Sequence, residues 1–184
     1  PPTINMLNSL EKMGFQVTTL SMDNPALLKN CNEKVSFYQQ KRTTKKNSNI
    51  FNRFSNLLDY VRFFWKFSRL KKEINPKIIL AYDPIAFVMG NLLFSRKRNI
   101  LWYHNHDVMD LNKNSTMLQR IIQRIEMKSM RNLDFFTIPS KERIKYFNFN
   151  RFSGKIGVIP NYPSIKIYKE FFTNRELNND EFHI

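Results

Sequence analysis

Short apolar runs that end in polar turns alternate along the chain with longer segments in which apolar residues recur every three or four positions. The runs are typical of strands buried in a parallel sheet, and the periodic segments are typical of helices that cover such a sheet. Strands are predicted at 15–20, 35–38, 77–82, 100–103, 134–139 and 155–159, and helices at 4–13, 50–73, 85–94, 115–131 and 141–147. This alternation predicts an α/β fold, a doubly wound parallel sheet with helices on both faces.

Cap and turn residues lie where these elements begin and end. Gly14 is predicted to close the first helix and Thr3 to be its N-cap. Asp83 is predicted to cap a helix that begins at Pro84, and Ser140 to cap the helix at 141–147. Because helix–Gly–strand is half of a βαβ unit, a further strand is expected before the first residue.

The segment NILWYHNHDVMD, residues 99–110, is where we expect the functional site. A short apolar run ends there in four polar residues, which are His104, Asn105, His106 and Asp107. In open α/β sheets, ligands bind at the carboxyl ends of the strands. Histidine titrates near neutral pH and both donates and accepts hydrogen bonds. Hydrogen-bonding residues that merely finish a strand are the alternative interpretation.

Sequence motifs exclude several kinds of site. The two histidines could bind a metal, but side chains one residue apart on an extended segment point in different directions, and the single cysteine, Cys31, is distant in sequence. We therefore predict no metal and no cofactor. The chain has no G-x-G-x-x-G, Walker A or G-x-S-x-G sequence, so dehydrogenases, P-loop enzymes and α/β-hydrolases are not favoured.

Helix 50–73 carries two apolar stripes on roughly opposite sides. The first is predicted to pack on the sheet, and its members are Ile50, Phe54, Leu57, Leu58, Val61, Phe64 and Trp65. The second is flanked by basic residues and comprises Tyr60, Phe63, Phe67 and Leu70. Either neighbouring elements cover both stripes, or the second lies on an anionic bilayer. The predicted membrane-contact residues are Phe63, Trp65, Lys66 and Phe67.

Charge points to an anionic partner. Thirty Lys and Arg residues against fifteen Asp and Glu give a net charge of +15 and a pI near 10.0. Nucleic acid, an acidic membrane leaflet and phosphorylated ligands all fit this charge. The chain has no zinc-finger spacing and no RNP-like aromatic signature, so nucleic acid is not favoured. The single cysteine excludes an internal disulfide and suits a reducing compartment.

Five segments in order resemble the N-terminal domain of GT-B-fold nucleotide-sugar glycosyltransferases, in the retaining group called family 4 or group 1. They are LEKMGFQVTTLS, KIILAYDPIAF, ILWYHNHDVMD, RIEMKSMRNLDFFTIPSKERIKYF and GKIGVIPNYPS. The third resembles the family's His-Glu segment, with His106-Asp107 in its place. The fourth matches a Glu, Asp and Ser pattern at Glu126, Asp134 and Ser140. The resemblance extends from Ile4 to Pro163 and implies a Rossmann-like half of a GT-B fold.

The resemblance also implies an activity and a division of the chain. Residues 1–165 would form the acceptor-side domain, and residues 166–184 would lead into a donor-binding domain that is absent here. The reaction would transfer a sugar, with retention, from a nucleotide-diphosphate sugar, which is the donor substrate. His106 and Asp107 would be catalytic, with His106 near the transferred sugar. The candidate substrate-binding residues are His104, Asp83, Ser140 and Asn161.

Acceptors of such enzymes are often lipid-linked glycans or lipopolysaccharide cores. The resemblance and the charge together imply a cytoplasmic protein held peripherally on the inner face of the cell membrane, acting in cell-surface polysaccharide or lipopolysaccharide synthesis. Nucleic acid is not expected as a partner. The alternative is a non-enzymatic basic Rossmann-like module that binds nucleic acid or an anionic membrane surface.

Overall fold

The computed structural model describes residues 2–22, 29–42, 50–95, 97, 99–106, 117–150 and 152–160. These residues fall into two compact units. The first contains residues 2–19 and 29–38, and the second contains residues 20–22 and the described residues from 39 to 160. Two 3-10 helices, Met130–Asn132 and Lys141–Tyr146, flank the fifth strand. The other elements in chain order are α1 (Pro2–Lys12), β1 (Thr18–Met22), β2 (Ser36–Gln40), α2 (Ile50–Ile74), β3 (Ile78–Ala81), α3 (Pro84–Leu93), β4 (Ile100–His104), α4 (Met117–Ser129), β5 (Phe135–Ile138) and β6 (Lys155–Val158).

Helix α1 of the first unit buries Ile4 and Leu7, and its C-terminus is closed by Gly14, whose φ of 89° is the left-handed conformation that glycine tolerates. This end is the one predicted. The predicted N-cap is wrong, because α1 begins at Pro2 and Thr3 lies inside it. Proline is well suited to the first turn, where its missing N–H has no helical partner. Strands β1 and β2, at which the two units meet in sequence, pair in a two-stranded sheet.

The second unit is built on a four-stranded parallel sheet in the order β3-β4-β5-β6. Its core comprises Ile79, Ala81, Phe87, Leu101, Tyr103, Met130, Leu133, Phe136, Ile138 and Phe147. Helix α3 covers part of this core through Phe87, whose ring stacks on Tyr103 at 4.4 Å between centroids. The predicted α/β fold, a parallel sheet flanked by helices, is confirmed.

The start of α3 follows its sequence signal. Asp83 is the N-cap, its Oδ1 accepts a hydrogen bond from the backbone N–H of Ala86 at 2.8 Å, and Pro84 is the first helical residue. A short carboxylate at this place satisfies an amide that has no partner within the helix. Asp83 therefore stands directly after β3, at the carboxyl end of the sheet.

The stripe of α2 that was predicted to face a membrane lies on the packed side of the helix, where Leu70 is buried and Tyr60, Phe63 and Phe67 are half-buried. Phe67 packs against the core, and Leu70 and Asp59 are buried. The stripe predicted to pack on the sheet is instead exposed at Leu57, Leu58, Val61 and Trp65. Both assignments are corrected, because periodicity shows that a helix has two apolar faces but not which face meets the sheet. Phe67 thus packs, partly buried, against the core of the second unit.

Lysines anchor the buried side of α2. Lys66 Nζ donates to the carbonyl of Gln39 at 2.5 Å, and Lys71 Nζ donates to the carbonyl of Leu93. Phe63, one helical turn before the core-packing Phe67, is half-buried. Of the four predicted membrane-contact residues, Trp65 alone is mostly exposed, at 70%.

Candidate functional site

The polar segments that follow three adjacent strands lie at one edge of the sheet. Tyr82 and Asp83 follow β3, Asn105 and His106 follow β4, and Ser140 follows β5 by two residues. Because the strands are parallel, their carboxyl ends share that edge. Strand β4 lies between β3 and β5, so its last residues occupy the middle of the edge.

The last residue of β4, His104, is buried and hydrogen-bonded to Thr137 of β5. The parallel register pairs the two residues, and His104 Nδ1 lies 2.8 Å from Thr137 Oγ1. Trp102, two residues earlier on the same face of β4, donates its indole N–H to the same oxygen at 2.8 Å. Only 2% of His104 and 6% of Thr137 are exposed. The Thr137 hydroxyl therefore joins two rings in a buried environment.

Hydrogen-bond chemistry fixes the protons in this group. An indole N–H is a donor only, so Thr137 Oγ1 accepts from Trp102. The single proton of the hydroxyl is then directed to His104 Nδ1, since a donating Nδ1–H would leave the buried hydroxyl proton with no hydrogen-bond acceptor among the described residues. His104 is consequently the Nε2–H tautomer. Burial, with a smaller contribution from His106, lowers the pKa of His104 to about 4, so the ring is neutral near pH 7.

Three aromatic rings surround this point of the edge. His106 packs against His104 edge to face, with 4.5 Å between ring centroids, and stacks on Tyr82 at 5.6 Å. Tyr82 also meets His104 edge to face at 5.7 Å. His106 is half-buried, whereas His104 is almost wholly enclosed. The two histidine rings therefore lie together, and the prediction that they point in different directions is wrong, because positions i and i+2 of an extended segment share a face. His106 is the one with more access to solvent.

Arg143 also reaches this edge, and sequence reasoning missed it. From the 3-10 helix after β5, Arg143 Nη1 donates to the backbone carbonyl of His106 at 2.6 Å. The bond joins the segments that follow β4 and β5 and brings a guanidinium beside the histidine pair. A basic residue three positions after Ser140 was visible in the sequence, but its contact depends on strand order, which no local pattern specifies.

A second chain of hydrogen bonds runs through the other face of β4. Asn105 Nδ2 donates to Tyr103 Oη at 2.5 Å, and Tyr103 Oη donates to Glu126 Oε1 of α4 at 2.6 Å. All three side chains are at least 98% buried. Asn105 Oδ1 is buried and has no hydrogen-bond partner among the described residues. This series of hydrogen bonds holds the side-chain amide of Asn105 in place.

Burial dominates the electrostatics of this second chain. It raises the pKa of Glu126, against the hydrogen bond from Tyr103, and the charge of Asp83 raises it further. Burial and the nearby Glu126 carboxylate raise the pKa of Tyr103 as well, so its hydroxyl stays protonated. Desolvation of its carboxylate also raises the pKa of Asp83, although the residue keeps solvent exposure. The backbone amides of Ala86 and Ile85 donate to this carboxylate and lower the pKa in part.

The remaining predicted site residues have mixed outcomes. Ser140 stands at the N-cap position of the 3-10 helix, but its side chain makes no capping bond to the backbone, so the predicted cap is wrong in this respect. Its hydroxyl instead donates to the carboxylate of Glu142, whose pKa is lowered first by a hydrogen bond from its own backbone and then by this bond from Ser140. Asp107 and Asn161 lie outside the described residues. Asp134, which the sequence comparison matched to the Asp of the family pattern, lies at the opposite edge of the sheet. Its Oδ2 accepts a hydrogen bond from the backbone N–H of Leu101 at 2.8 Å.

The described residues form neither a metal-binding cluster nor a membrane-spanning helix. No group of three or more His, Cys, Asp or Glu side chains in that part of the chain is placed to hold a metal ion. No helix within the described ranges is both long and apolar enough to span a membrane. What the site offers among those residues is hydrogen bonding and aromatic surface, which suit the orientation of an organic ligand.

A parallel sheet flanked by helices, with polar side chains gathered at its carboxyl edge, defines a Rossmann-like domain. The family model of Glycosyltransferase Family 4 matches residues 3–162, most of the chain. The chain belongs to this family and is a glycosyltransferase-type domain. No curated protein matches it. The family named from the five segments is thus confirmed.

Proposed function

We propose that the chain is the acceptor-side domain of a retaining, hexosyltransferase-type GT-B enzyme. It would transfer a sugar from a nucleotide-diphosphate donor to a glycan or lipid-linked acceptor, in the synthesis of cell-surface polysaccharide or lipopolysaccharide. The observation that carries the proposal is the pair His104 and His106, with ring centroids 4.5 Å apart, at the carboxyl end of the central strand of a family 4 domain.

His106 is assigned the position beside the transferred sugar. Its half-buried ring stacks on Tyr82, and its carbonyl is held by Arg143, so its position is restrained from two sides. His104 is neutral and presents Nε2–H as a donor, which suits an oxygen atom of a sugar ring or hydroxyl. Asp107, Asp83, Ser140 and Asn161 complete the proposed set.

The proposed reaction breaks the bond between the sugar C1 and the phosphate oxygen and forms a bond between C1 and an acceptor oxygen. The nucleoside diphosphate leaves with the electron pair, and the acceptor hydroxyl loses its proton. Residues 1–165 contribute the acceptor side of the cleft, and residues 166–184 lead into the donor-binding domain. No cofactor and no metal is assigned to these steps. Activity is accordingly a property of the complete enzyme.

The test uses the complete gene product. It is incubated with UDP-, GDP- and ADP-sugars and inner-membrane lipid, and nucleotide release is followed. We expect release with one donor, abolished by His106→Ala but retained by the control Lys155→Ala at the opposite edge of the sheet. No release with any donor, together with tight and salt-sensitive RNA binding, would reject the transferase and favour the polymer-binding alternative.

The cellular location is proposed on the same basis. The net charge of +15 favours a peripheral position on an anionic inner leaflet, where a lipid-linked acceptor would be presented. Nucleic acid is not proposed as a partner.

A further inference from the structure

Helix α2 has an exposed side that nothing described covers. We call it the open face of α2 and define it by four apolar residues, Leu57, Leu58, Val61 and Trp65, and three basic residues, Arg62, Arg69 and Lys72. The apolar four are 55%, 49%, 44% and 70% exposed. At about 100° per residue, all seven side chains fall within an arc of about 140°. Clustered apolar exposure of this kind marks an interaction surface.

The opposite side of the helix is already occupied. Asp59 and Leu70 are buried there, and Phe67 packs on the core of the second unit. The packing of α2 on the second unit therefore does not use the open face. Six of its seven members point away from the buried side, and the seventh, Arg62, pairs with the buried Asp59 at 3.6 Å.

The sequence that contains this face is strongly basic. Residues 41–74 contain ten Lys or Arg and two acidic residues, which is a net charge of +8 out of the +15 of the whole chain. One of the acidic residues, Asp59, is buried, and the other, Glu73, pairs with Arg69 at 2.7 Å. Lys66 and Lys71 bond to backbone carbonyls on the buried side of α2, so the cations of the open face itself are Arg62, Arg69 and Lys72.

We infer that the open face of α2 lies on an anionic lipid surface. The helix lies in the plane of the interface, with Leu58, Val61 and Trp65 in the boundary between headgroups and acyl chains and the basic residues at the headgroups. A second copy of the chain would bring a charge of the same sign against this face. A nucleic acid would use the cations but leave four apolar side chains without a partner. The inference adds a lipid-binding surface to the proposed function. It rests on that function only in assuming that the acceptor is presented at the lipid surface.

Binding of the purified protein to vesicles tests the inference. Vesicles of phosphatidylcholine alone are compared with vesicles that also contain phosphatidylglycerol, at low and high salt, by co-sedimentation. We expect binding to the anionic vesicles only, weakened by salt. Trp65→Gln should reduce the partition coefficient about tenfold. Lys72→Glu should reduce it at least about fivefold, through the loss of headgroup attraction.

Matched controls lie on other elements. Leu92→Gln changes a side chain of α3 that is 67% exposed, and Lys155→Glu reverses an exposed charge on β6. Neither should alter vesicle binding. Trp65 emission should shift to the blue on binding and be quenched by brominated lipid, and Trp65→Phe should remove that signal. Trp102, the other tryptophan, is bonded within the sheet and should not respond.

Three results would overturn the inference: equal binding of all variants, equal binding to zwitterionic vesicles, or a dimer in sedimentation equilibrium that Trp65→Gln dissociates. Different outcomes test the proposed function and the lipid surface. Vesicle binding without sugar transfer from any donor would contradict the transferase and support the lipid surface. Transfer to a water-soluble acceptor without vesicle binding would support the transferase and overturn the lipid surface.

Discussion

The hydroxyl of Thr137 holds the ring of His104 in a single tautomer. Thr137 Oγ1 lies 2.8 Å from His104 Nδ1 and accepts the indole N–H of Trp102 at the same distance. The hydroxyl proton is thereby directed to Nδ1, and Nε2 carries the ring proton. One β5 residue thus sets the tautomer of the buried histidine, and burial keeps its ring neutral.

Thr137→Val should abolish this restraint. The variant removes the acceptor of Trp102 and the donor to His104, leaving two buried polar atoms without partners at a cost of about 2–4 kcal/mol in the free energy of unfolding. The ¹⁵N chemical shifts of His104 should change from those of the Nε2–H tautomer to those of a mixture. Thr137→Ser keeps the hydroxyl and should keep the tautomer. An unchanged spectrum in Thr137→Val would show that Thr137 does not set it.

His104 should make the protein lose stability in weak acid. Its pKa is about 4 in the folded state against about 6.5 when unfolded, so the unfolded chain binds the proton more readily. Stability is complete above pH 6.5 and falls as the pH decreases toward 4, by about 3 kcal/mol from this residue. Urea unfolding at pH 7.5, 5.5 and 4.5 measures the fall. His104→Asn should show a smaller one; equal falls would contradict the assignment.

Glu126 should act in the opposite sense. Its pKa is raised in the folded state, so its contribution to stability is present below the unfolded pKa and is lost as the pH rises through the folded one. Glu126→Gln does not ionise and still accepts from Tyr103. We expect its stability relative to the parent to increase between pH 4 and pH 7.5 in thermal denaturation.

Glu126→Ala provides the contrast to that substitution. It leaves the buried Tyr103 hydroxyl without its acceptor and creates a void, at a cost of about 2–4 kcal/mol. A glutamine variant as unstable as the alanine variant at pH 7.5 would show that the carboxylate itself is required.

Gly154 should not tolerate a side chain. A Cβ there would lie 2.7 Å from the carbonyl oxygen of Leu133 and closer still to that of Asp134, and both are backbone atoms. Gly154→Ala should lower the free energy of unfolding by about 1–3 kcal/mol. At Gly90 in α3, a Cβ would meet only side-chain carbons at 3.5 and 3.6 Å. Gly90→Ala should therefore be neutral or stabilising, and equal losses in the two variants would contradict this comparison.

The sequence predicted the features that local chemistry determines. The apolar run that ends in His104, the Asp83 cap and the Gly14 terminus each involve residues a few positions apart. Their physical causes are the burial of continuous apolar strands and the satisfaction of helix ends, which a local pattern expresses directly.

Features that depend on strand order and helix docking were not predicted. Thr137, Arg143 and Glu126 reach the segment around β4 from 23 to 37 residues away in sequence, and only the register and order of the sheet bring them there. The two stripes of α2 were both apolar, so packing on the sheet, not periodicity, decided which was buried.

The central claim is that His106 lies in the transfer site of a glycosyltransferase. The most direct measurement is transfer of radiolabelled sugar by the complete enzyme, from the donor that supports nucleotide release to extracted membrane lipid. We expect His106→Ala to lower kcat by about 100-fold or more, with the melting temperature unchanged and the fold intact. A His106→Ala enzyme that transfers sugar at the parent rate would contradict the account.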